Sequence, residues 1–326
     1  MTEPIVEPGL VSTVVPVHDR PRLLEEAVAS VLAQTYRPIE IVIVDDGSTD
    51  DTSRVADRLA AEHPREVRAL HVANGGPGRA REAGRRAARG EFIQYLDSDY
   101  LLLEGKFAWQ VSALRADPDI GVAYGWTAYS VGEQDGGADR PWKRTGERID
   151  RMFPSFLQSR WWGTSTPLYR RSVTDAAGPW SDLWNEEDWE YDCRVATLGV
   201  RLAYVPRFVS VQRDHGGARL SRSVSTDERK LRNRAIAHGL ILGHARRAGI
   251  GPEVPEMRHF ARELFLLSRQ CGAAGLVDES RHLARLSRLA SGGSGRGLDV
   301  WLYTRLASVV GWQRLARMVG GLDRLR

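Results

Sequence analysis

Two carboxylates one residue apart, Asp97 and Asp99, stand where the apolar run Phe92, Ile93, Tyr95 and Leu96 ends. In an open α/β sheet, ligands bind at the carboxyl ends of the strands. Oxygen ligands at this spacing suit a hard divalent cation, because Mg2+ or Mn2+ takes one or two carboxylates together with phosphate oxygens. A strand ending in a solvated acidic turn would read the same way. The pair therefore gains meaning only if the rest of the chain supplies a nucleotide site and a base.

The flanking elements are those of such a site. Residues 11–17, "VSTVVPV", read as a buried strand whose ladder finishes near Pro16. Leu23, Leu24, Ala27, Val28, Val31 and Leu32 recur at helical spacing, with Asp19 as the expected N-cap. Residues 39–44 form a second strand that ends in "DDGSTDDT", where Gly47 permits a tight turn and Ser48, Thr49 or Asp50 can cap a helix over 51–62. A third strand over 67–72, the glycine-rich opening of an arginine-rich helix, and the Asp97 strand complete a βαβαβαβ order. That order predicts a Rossmann-like sheet with right-handed crossovers. Beyond it we expect a helix over 104–116, a strand over 120–131, a helix over "NEEDWEYDCRVATLGV" with Gly199 at its C-cap, two strands in "RLAYV" and "RFVSVQR", and helices from Thr226 onward. "SGGSGRG" at 291–297 reads as a hinge before one last helix.

Composition narrows the class. The chain has 326 residues, 42% hydrophobic and 27% charged, which fits a globular domain plus a smaller one. No run approaches the ~18 apolar residues of a membrane span. The N-terminal "MTEPIVEPGL" does not read as a secretory signal. Cys193 and Cys271, far apart, fit a reducing compartment and exclude a cysteine metal cluster, so a cytoplasmic protein, at most peripheral to a membrane, is expected. Net charge is +4, but residues 227–326 hold 18 Arg and Lys against 9 Asp and Glu, a surplus of nine that leaves the rest at −5. A basic tail on an acidic body suggests an anionic partner for the tail, or a solvated helical face. The tryptophans from Trp142 to Trp189 suit a sugar or aromatic acceptor as well as a core.

In order, "VVPVHDR", "IVIVDDGSTDDT", "NGGPGRAREAG", "YLDSDY", "EEDWEYDCR" and "QRDHGG" resemble the family 2 glycosyltransferases. The resemblance spans about residues 10–223 and leaves the helical remainder outside. It implies a GT-A fold, a mixed, mostly parallel Rossmann-like sheet flanked by helices. The implied division is a glycosyltransferase domain over 1–223 and an all-helical region over 224–326. It further implies an inverting transfer of a sugar from a nucleoside-diphosphate sugar to an acceptor hydroxyl, in polysaccharide, glycolipid or other glycoconjugate synthesis.

By that resemblance Pro16, Val17, His18 and Asp19 face the nucleotide; the family's usual aromatic-asparagine pair is His18-Asp19 here. Asp46 matches the ligand of the base ring, since a carboxylate accepts a hydrogen bond from a ring N–H, while Asp45 is expected to act nearer to helix capping. Arg81 matches the arginine beside the donor; Arg79, Arg85, Arg86 and Arg89 are expected to be solvated. Asp97, Ser98 and Asp99 match the DXD motif, with Asp97 toward ribose and metal waters and Asp99 on the metal, which would be Mn2+ or Mg2+. Tyr100 stands where a third acidic residue is common. His215 matches a position that helps hold the metal. Asp188 matches the catalytic base with Glu187 beside it, although a run of acids in a first helical turn also fits the helix dipole. Trp161, Trp162 and Glu187 are the acceptor candidates.

The expected donor is a UDP-sugar, or a GDP- or dTDP-sugar, and the acceptor a sugar, a lipid-linked group or a small molecule; nucleic acid is not expected. A haloacid-dehalogenase phosphatase fails because Gly47 stands where its second aspartate belongs. A nucleotidyltransferase fails for want of a glycine-rich loop after the first strand. A non-catalytic nucleotide-sugar binder is the alternative. In the tail, Leu298, Trp301, Leu302, Leu306, Val309, Val310, Met318, Val319 and Leu322 are expected on one apolar side of a single helix, with Arg305, Arg314 and Arg317 among them and Trp301, Tyr303 and Trp312 at a headgroup boundary. Packing on its own domain or a homodimer is the competing use of that helix.

Overall fold

The computed structural model describes residues 6–131, 140–214, 227–292 and 298–323. The chain forms two compact units, one of residues 1–151, 161–182 and 198–217, the other of residues 152–160, 183–197 and 218–326.

Among the described residues the first unit holds one eight-stranded sheet in the order β3-β2-β1-β4-β7-β6-β8-β5. Its strands are β1 (Glu7–Val17), β2 (Ile39–Asp46), β3 (Val67–Val72), β4 (Gly90–Tyr95), β5 (Tyr100–Leu102), β6 (Ile120–Val131), β7 (Leu168–Arg170) and β8 (Arg201–Asp214). Helices α1 (Pro21–Leu32), α2 (Thr52–Glu62), α3 (Pro77–Ala87), α4 (Lys106–Ala116) and α5 (Arg171–Ala177) belong to the same unit. β1 pairs in parallel with β2 and with β4, and β2 with β3. The near-continuous burial of β1 and β2 is what a parallel sheet covered on both faces requires. β7 runs antiparallel to β4 and β6, and β5 antiparallel to β8, so the sheet is mixed. Strand order reverses between β1 and β4, which makes that crevice the topological switch point. Val17 lies beside Asp45 and Val14 beside Tyr95, so the segments after β1, β2 and β4 leave the same edge.

Several expectations change. Asp19 does not cap α1, whose first turn begins after Arg20 without a side-chain cap; its own φ of 50° turns it toward the neighbouring loop instead. The two strands expected over 201–213 are one strand, β8, paired with β6 across register shifts. β5, β7 and α5 carried too short a pattern to be foreseen.

The second unit holds α6 (Glu187–Ala196), a short 3-10 turn at Ser155–Leu157, and helices α7 (Glu228–Arg247), α8 (Pro255–Ala273), α9 (Val277–Ala290), α10 (Leu298–Val310) and α11 (Trp312–Asp323). The single last helix expected from the sequence is two, broken at Gly311, whose φ of 97° only glycine adopts readily. The break turns α11 so that Trp312 and Leu315 pack with Val300, Tyr303 and Ala307 of α10 and with Phe265 and Ala284. Tyr303 and Trp312 are thus core residues, not headgroup anchors. The side chains of Leu298 and Leu322, the residues 132–139 and most of the expected hinge lie outside the described residues.

Candidate active site

The residues expected to face a nucleotide gather in the first unit at the carboxyl edge of β1, β2 and β4. The two acids that end β2 have different partners. Asp45 accepts from the Ser48 amide at 3.1 Å and from the Ser53 hydroxyl, and His71 Nδ1 lies 3.0 Å away. Burial works against its charged form, but those three partners hold its carboxyl below the usual aspartate range. Asp45 and Asp57 in turn raise the His71 imidazole. Asp45 therefore fixes the β2–α2 turn, although it does not cap α2, whose N-cap position is Asp51 without a side-chain cap. Asp46 reaches the other way: its two oxygens accept from the amides of Gly75 and Gly76, each at 2.8 Å, at the opening of α3. Gly47 is required between them, since its φ is +66° and a Cβ there would lie 2.7 Å from the Asn74 nitrogen.

His18 and Asp19 form the exposed lip beside these acids. His18 Nδ1 is 3.0 Å from the Asp46 carbonyl, and Asn74 Nδ2 is within 3.3 Å of both ring nitrogens. Asp19 accepts from the Thr49 amide at 2.7 Å, and its own amide donates to Ser48 Oγ. That Thr49 amide, with help from His18, lowers the Asp19 carboxyl. Pro16 and Val17 are buried within β1, so the side chains available to a ligand there are those of His18 and Asp19.

Arg81 is buried in α3 and donates from Nη2 to Asp97 Oδ1 at 2.7 Å. Its guanidinium carbon lies 4.8 Å from the centre of the Trp180 ring. Of the arginines expected to be solvated, Arg79 and Arg86 are, and Arg85 is not: it is held between Glu82 and Asp175. Arg89 pairs with Glu7 and Glu40.

The Asp97 amide donates to Ser165 Oγ at 3.1 Å. Ser98 and Asp99 are buried, and their carbonyls accept from Arg213, the Ser98 oxygen from Nη2 at 3.0 Å and the Asp99 oxygen from the amide at 3.1 Å. Arg213 also pairs with Glu26, and its burial, followed by nearby Arg22, lowers its pKa. The Asp97–Asp99 turn is therefore clamped from β8 by a residue two positions before His215. His215 itself lies outside the described residues. Among the described residues no three His, Cys, Asp or Glu side chains converge on a metal position. The donor set of Asp97 and Asp99 fits a hard cation that takes its remaining ligands from phosphate and water.

The second unit carries the acid-rich helix. Along α6 and the residue before it, the carboxylates sort into two pairs spaced four apart, each on its own side of the helix. Glu186 meets Arg234 at 2.8 Å and His238 at 3.0 Å, while Glu190 meets His244 at 2.7 Å and Arg194 at 2.8 Å. Burial disfavours the Glu190 charge, but His244 and Arg194 outweigh it and hold its carboxyl low. On the other side Arg160 bridges Asp188, through Nη1, and the fully buried Asp192, through Nε at 2.8 Å. Asp188 is the more open of the two and accepts from the Trp189 amide at 2.7 Å. Glu187 is buried.

The acceptor expectation needs correction. Trp161 and Trp162 are 1% and 0% exposed. Arg144 covers the Trp161 ring at 3.7 Å, and Trp162 packs on Tyr124 with ring centres 5.0 Å apart. They are core residues. Among the tryptophans of that stretch, Trp142 is partly exposed, stacked on Tyr129 with 17° between ring planes. Sequence reasoning also missed Arg160, Ser165 and Arg213, and it gave Trp180, which packs on Arg81, only as one of the tryptophans suited to an acceptor. Only Arg213, within the "QRDHGG" motif, carried a local signal; the others are placed by long-range packing.

The profile described as Glycosyl transferase family 2 matches residues 12–175. Glycosyltransferase GlyG of Streptococcus pneumoniae serotype 4 is 40% identical over 121 residues, 36% of this chain and 40% of that protein. The uncharacterized glycosyltransferase EpsJ of Bacillus subtilis is 41% identical over 90 residues, 28% of this chain and 26% of that protein. These matches thus span less than half of the curated relatives. Among solved structures, Staphylococcus aureus TarS 1-349 in complex with UDP-GlcNAc superposes with a TM-score of 0.60 at 16% identity, covering 92% of each chain. The mannosyltransferase PcManGT from Pyrobaculum calidifontis, in complex with GDP-Man and Mn2+, superposes with a TM-score of 0.52 at 17% identity, covering 96% of this chain and 87% of that one. The sheet with its helices is the GT-A arrangement these neighbours share, and the chain belongs to glycosyl transferase family 2.

Proposed function

We propose that this chain transfers a sugar, with inversion, from a nucleoside-diphosphate sugar to an acceptor hydroxyl. The observation that carries the reading is the Asp97–Asp99 pair at the switch-point edge of the sheet, with Arg81 paired to Asp97 and Asp46 at the neighbouring strand end. Family membership and the nucleotide-sugar complexes of the fold neighbours support it. UDP-sugar is the favoured donor, and the acceptor is a sugar, a lipid-linked group or a small molecule.

In this mechanism His18, Asp19 and Asp46 take the nucleoside, with Asp46 lone pairs accepting from a base N–H, and Arg81 and Ser98 border the donor. Asp97 and Asp99 are the residues that would hold Mn2+ or Mg2+, whose charge offsets that developing on the departing diphosphate. Asp188 removes the proton from the acceptor hydroxyl. The acceptor oxygen bonds to the anomeric carbon as the carbon–oxygen bond to the diphosphate breaks, and the nucleoside diphosphate leaves. Arg160 keeps Asp188 aimed by holding it to Asp192.

The test is a thermal-shift panel of UDP, GDP, dTDP and CDP with and without Mn2+. A nucleotide at a hundred times its Kd stabilises the fold by about 2.7 kcal/mol. One of the four, UDP by expectation, should raise the melting temperature only with the metal, and Asp99→Ala, measured against its own ligand-free melting temperature, should lose that shift. Asp99→Ala that keeps both the shift and full transfer removes the carboxylate pair from the mechanism. Wild-type binding without any sugar transfer or release would leave a nucleotide-sugar binder.

A further inference from the structure

α10 is apolar on both sides, and only one of them is covered. Val300, Tyr303 and Ala307 face the core of the second unit. The opposite side presents Trp301, Leu302, Leu306, Val309 and Val310 to solvent, with Leu302 53% and Val309 85% exposed. Counted from Trp301, the others lie one, five, eight and nine residues along the helix, so they form a continuous strip rather than scattered surface residues. A helix that is hydrophobic all round is normally buried all round.

Basic residues outnumber acidic ones around the strip. Arg305, Arg314 and Arg317 are all exposed, and the acidic residues of the two helices stand at their outer ends, Asp299 in the first turn of α10 and Asp323 at the end of α11. The Arg305 guanidinium lies 5.6 Å from the centre of the exposed Trp301 ring, which sets an aromatic body and a cation on the apolar strip itself. Among the described residues no helix is long and apolar enough to cross a membrane. An apolar strip with exposed arginines and a tryptophan is the composition of a helix that lies in a headgroup layer.

We propose that this face of α10 docks the chain on an anionic lipid surface. A second copy of the chain fits the same strip less well. A two-fold contact is self-complementary and brings like patches together, so it would set the arginines of one protomer near those of the other. A surface of anionic headgroups complements them, each arginine near it being worth on the order of a five-fold gain in binding. The proposal is independent of the donor chemistry and holds or fails without it.

The full chain should be sedimented with vesicles of phosphatidylcholine mixed with phosphatidylglycerol, and with phosphatidylcholine alone. Expected is pelleting on the mixed vesicles at low salt, weakened as salt shortens the screening length to ~10 Å at 0.1 M and below that at higher salt. Leu302→Glu/Val309→Glu, both at open positions, should melt as the wild type does and bind the mixed vesicles at least about ten-fold less, given the apolar area withdrawn from the lipid. Arg305→Gln should lose about five-fold on mixed vesicles and nothing on neutral ones. No pelleting of the full chain, equal pelleting on neutral vesicles, or an unaffected double variant overturns the proposal. So does a full chain that sediments as a dimer which the double variant dissociates, since a second copy is then the occupant.

Discussion

Asp46→Asn tests whether the Asp46 carboxylate, proposed to meet a nucleotide base, also holds the opening of α3 together. Both Asp46 oxygens accept backbone N–H groups, from Gly75 and Gly76 at 2.8 Å each, and the side chain is 5% exposed. Asparagine keeps one acceptor and turns an N–H2 against the other glycine amide. The change removes one charge-assisted hydrogen bond, worth about 1.5–3 kcal/mol, and leaves a buried N–H unpaired at about 1–3 kcal/mol, two costs that overlap. A loss of about 2–4 kcal/mol follows. With roughly 2.1 cal/mol/K of unfolding entropy per residue, that corresponds to a melting temperature lower by about 3–6 °C if the whole chain unfolds as one and by about 5–10 °C if the first unit unfolds alone. Asp46→Ala, which leaves both amides unpaired, should cost more. The assay is calorimetric melting without ligand, followed by donor affinity at a temperature where both proteins are folded. If Asp46→Asn melts with the wild type, the Gly75–Gly76 clamp contributes nothing and Asp46 is free for a ligand-only role.

Asp188→Asn should lower turnover by about 10²-fold or more, the scale of general-base loss, with donor affinity unchanged; if Glu187→Gln is the damaging change instead, the base is one residue away. Arg160→Ala strips the partner from fully buried Asp192 and from Asp188, so it should destabilise the fold by about 3–5 kcal/mol and lower turnover at temperatures where it remains folded; wild-type melting would refute the bridge. Glu40 tests the acid limb of stability. Burial opposes its charge, but the Ser12 hydroxyl, the Arg89 amide and the Arg68 guanidinium hold its carboxyl below the ordinary value of 4.5. A depressed folded pKa gives stability that is present above 4.5 and lost as pH falls through the folded value. Glu40→Gln should therefore be less stable than wild type at pH 7 and should lose less between neutral and acid pH in urea titrations; parallel curves would refute it.

What the sequence determined by itself was local in origin. β1, β2 and β4, their helices and the turn chemistry of Gly47 were legible because a parallel strand is apolar along its length and a covering helix repeats every three to four residues. Asp97 and Asp99 were marked by their place at the end of a strand, and Asp46 and Arg81 by the resemblance of the ordered motifs to the family. The short strands β5 and β7 carried no period long enough to detect, and exist because β8 and β4 offer them edges to pair with. Only the tertiary structure gave Asp46 its glycine amides, fastened Asp188 to Arg160 and Asp192, and took Trp161 and Trp162 into the core. In the tail, composition marked α10 as apolar, but which side is covered depended on the break at Gly311 that folds α11 back onto it. Such choices rest on contacts between residues distant in the chain, where burial and pairing outweigh any local preference.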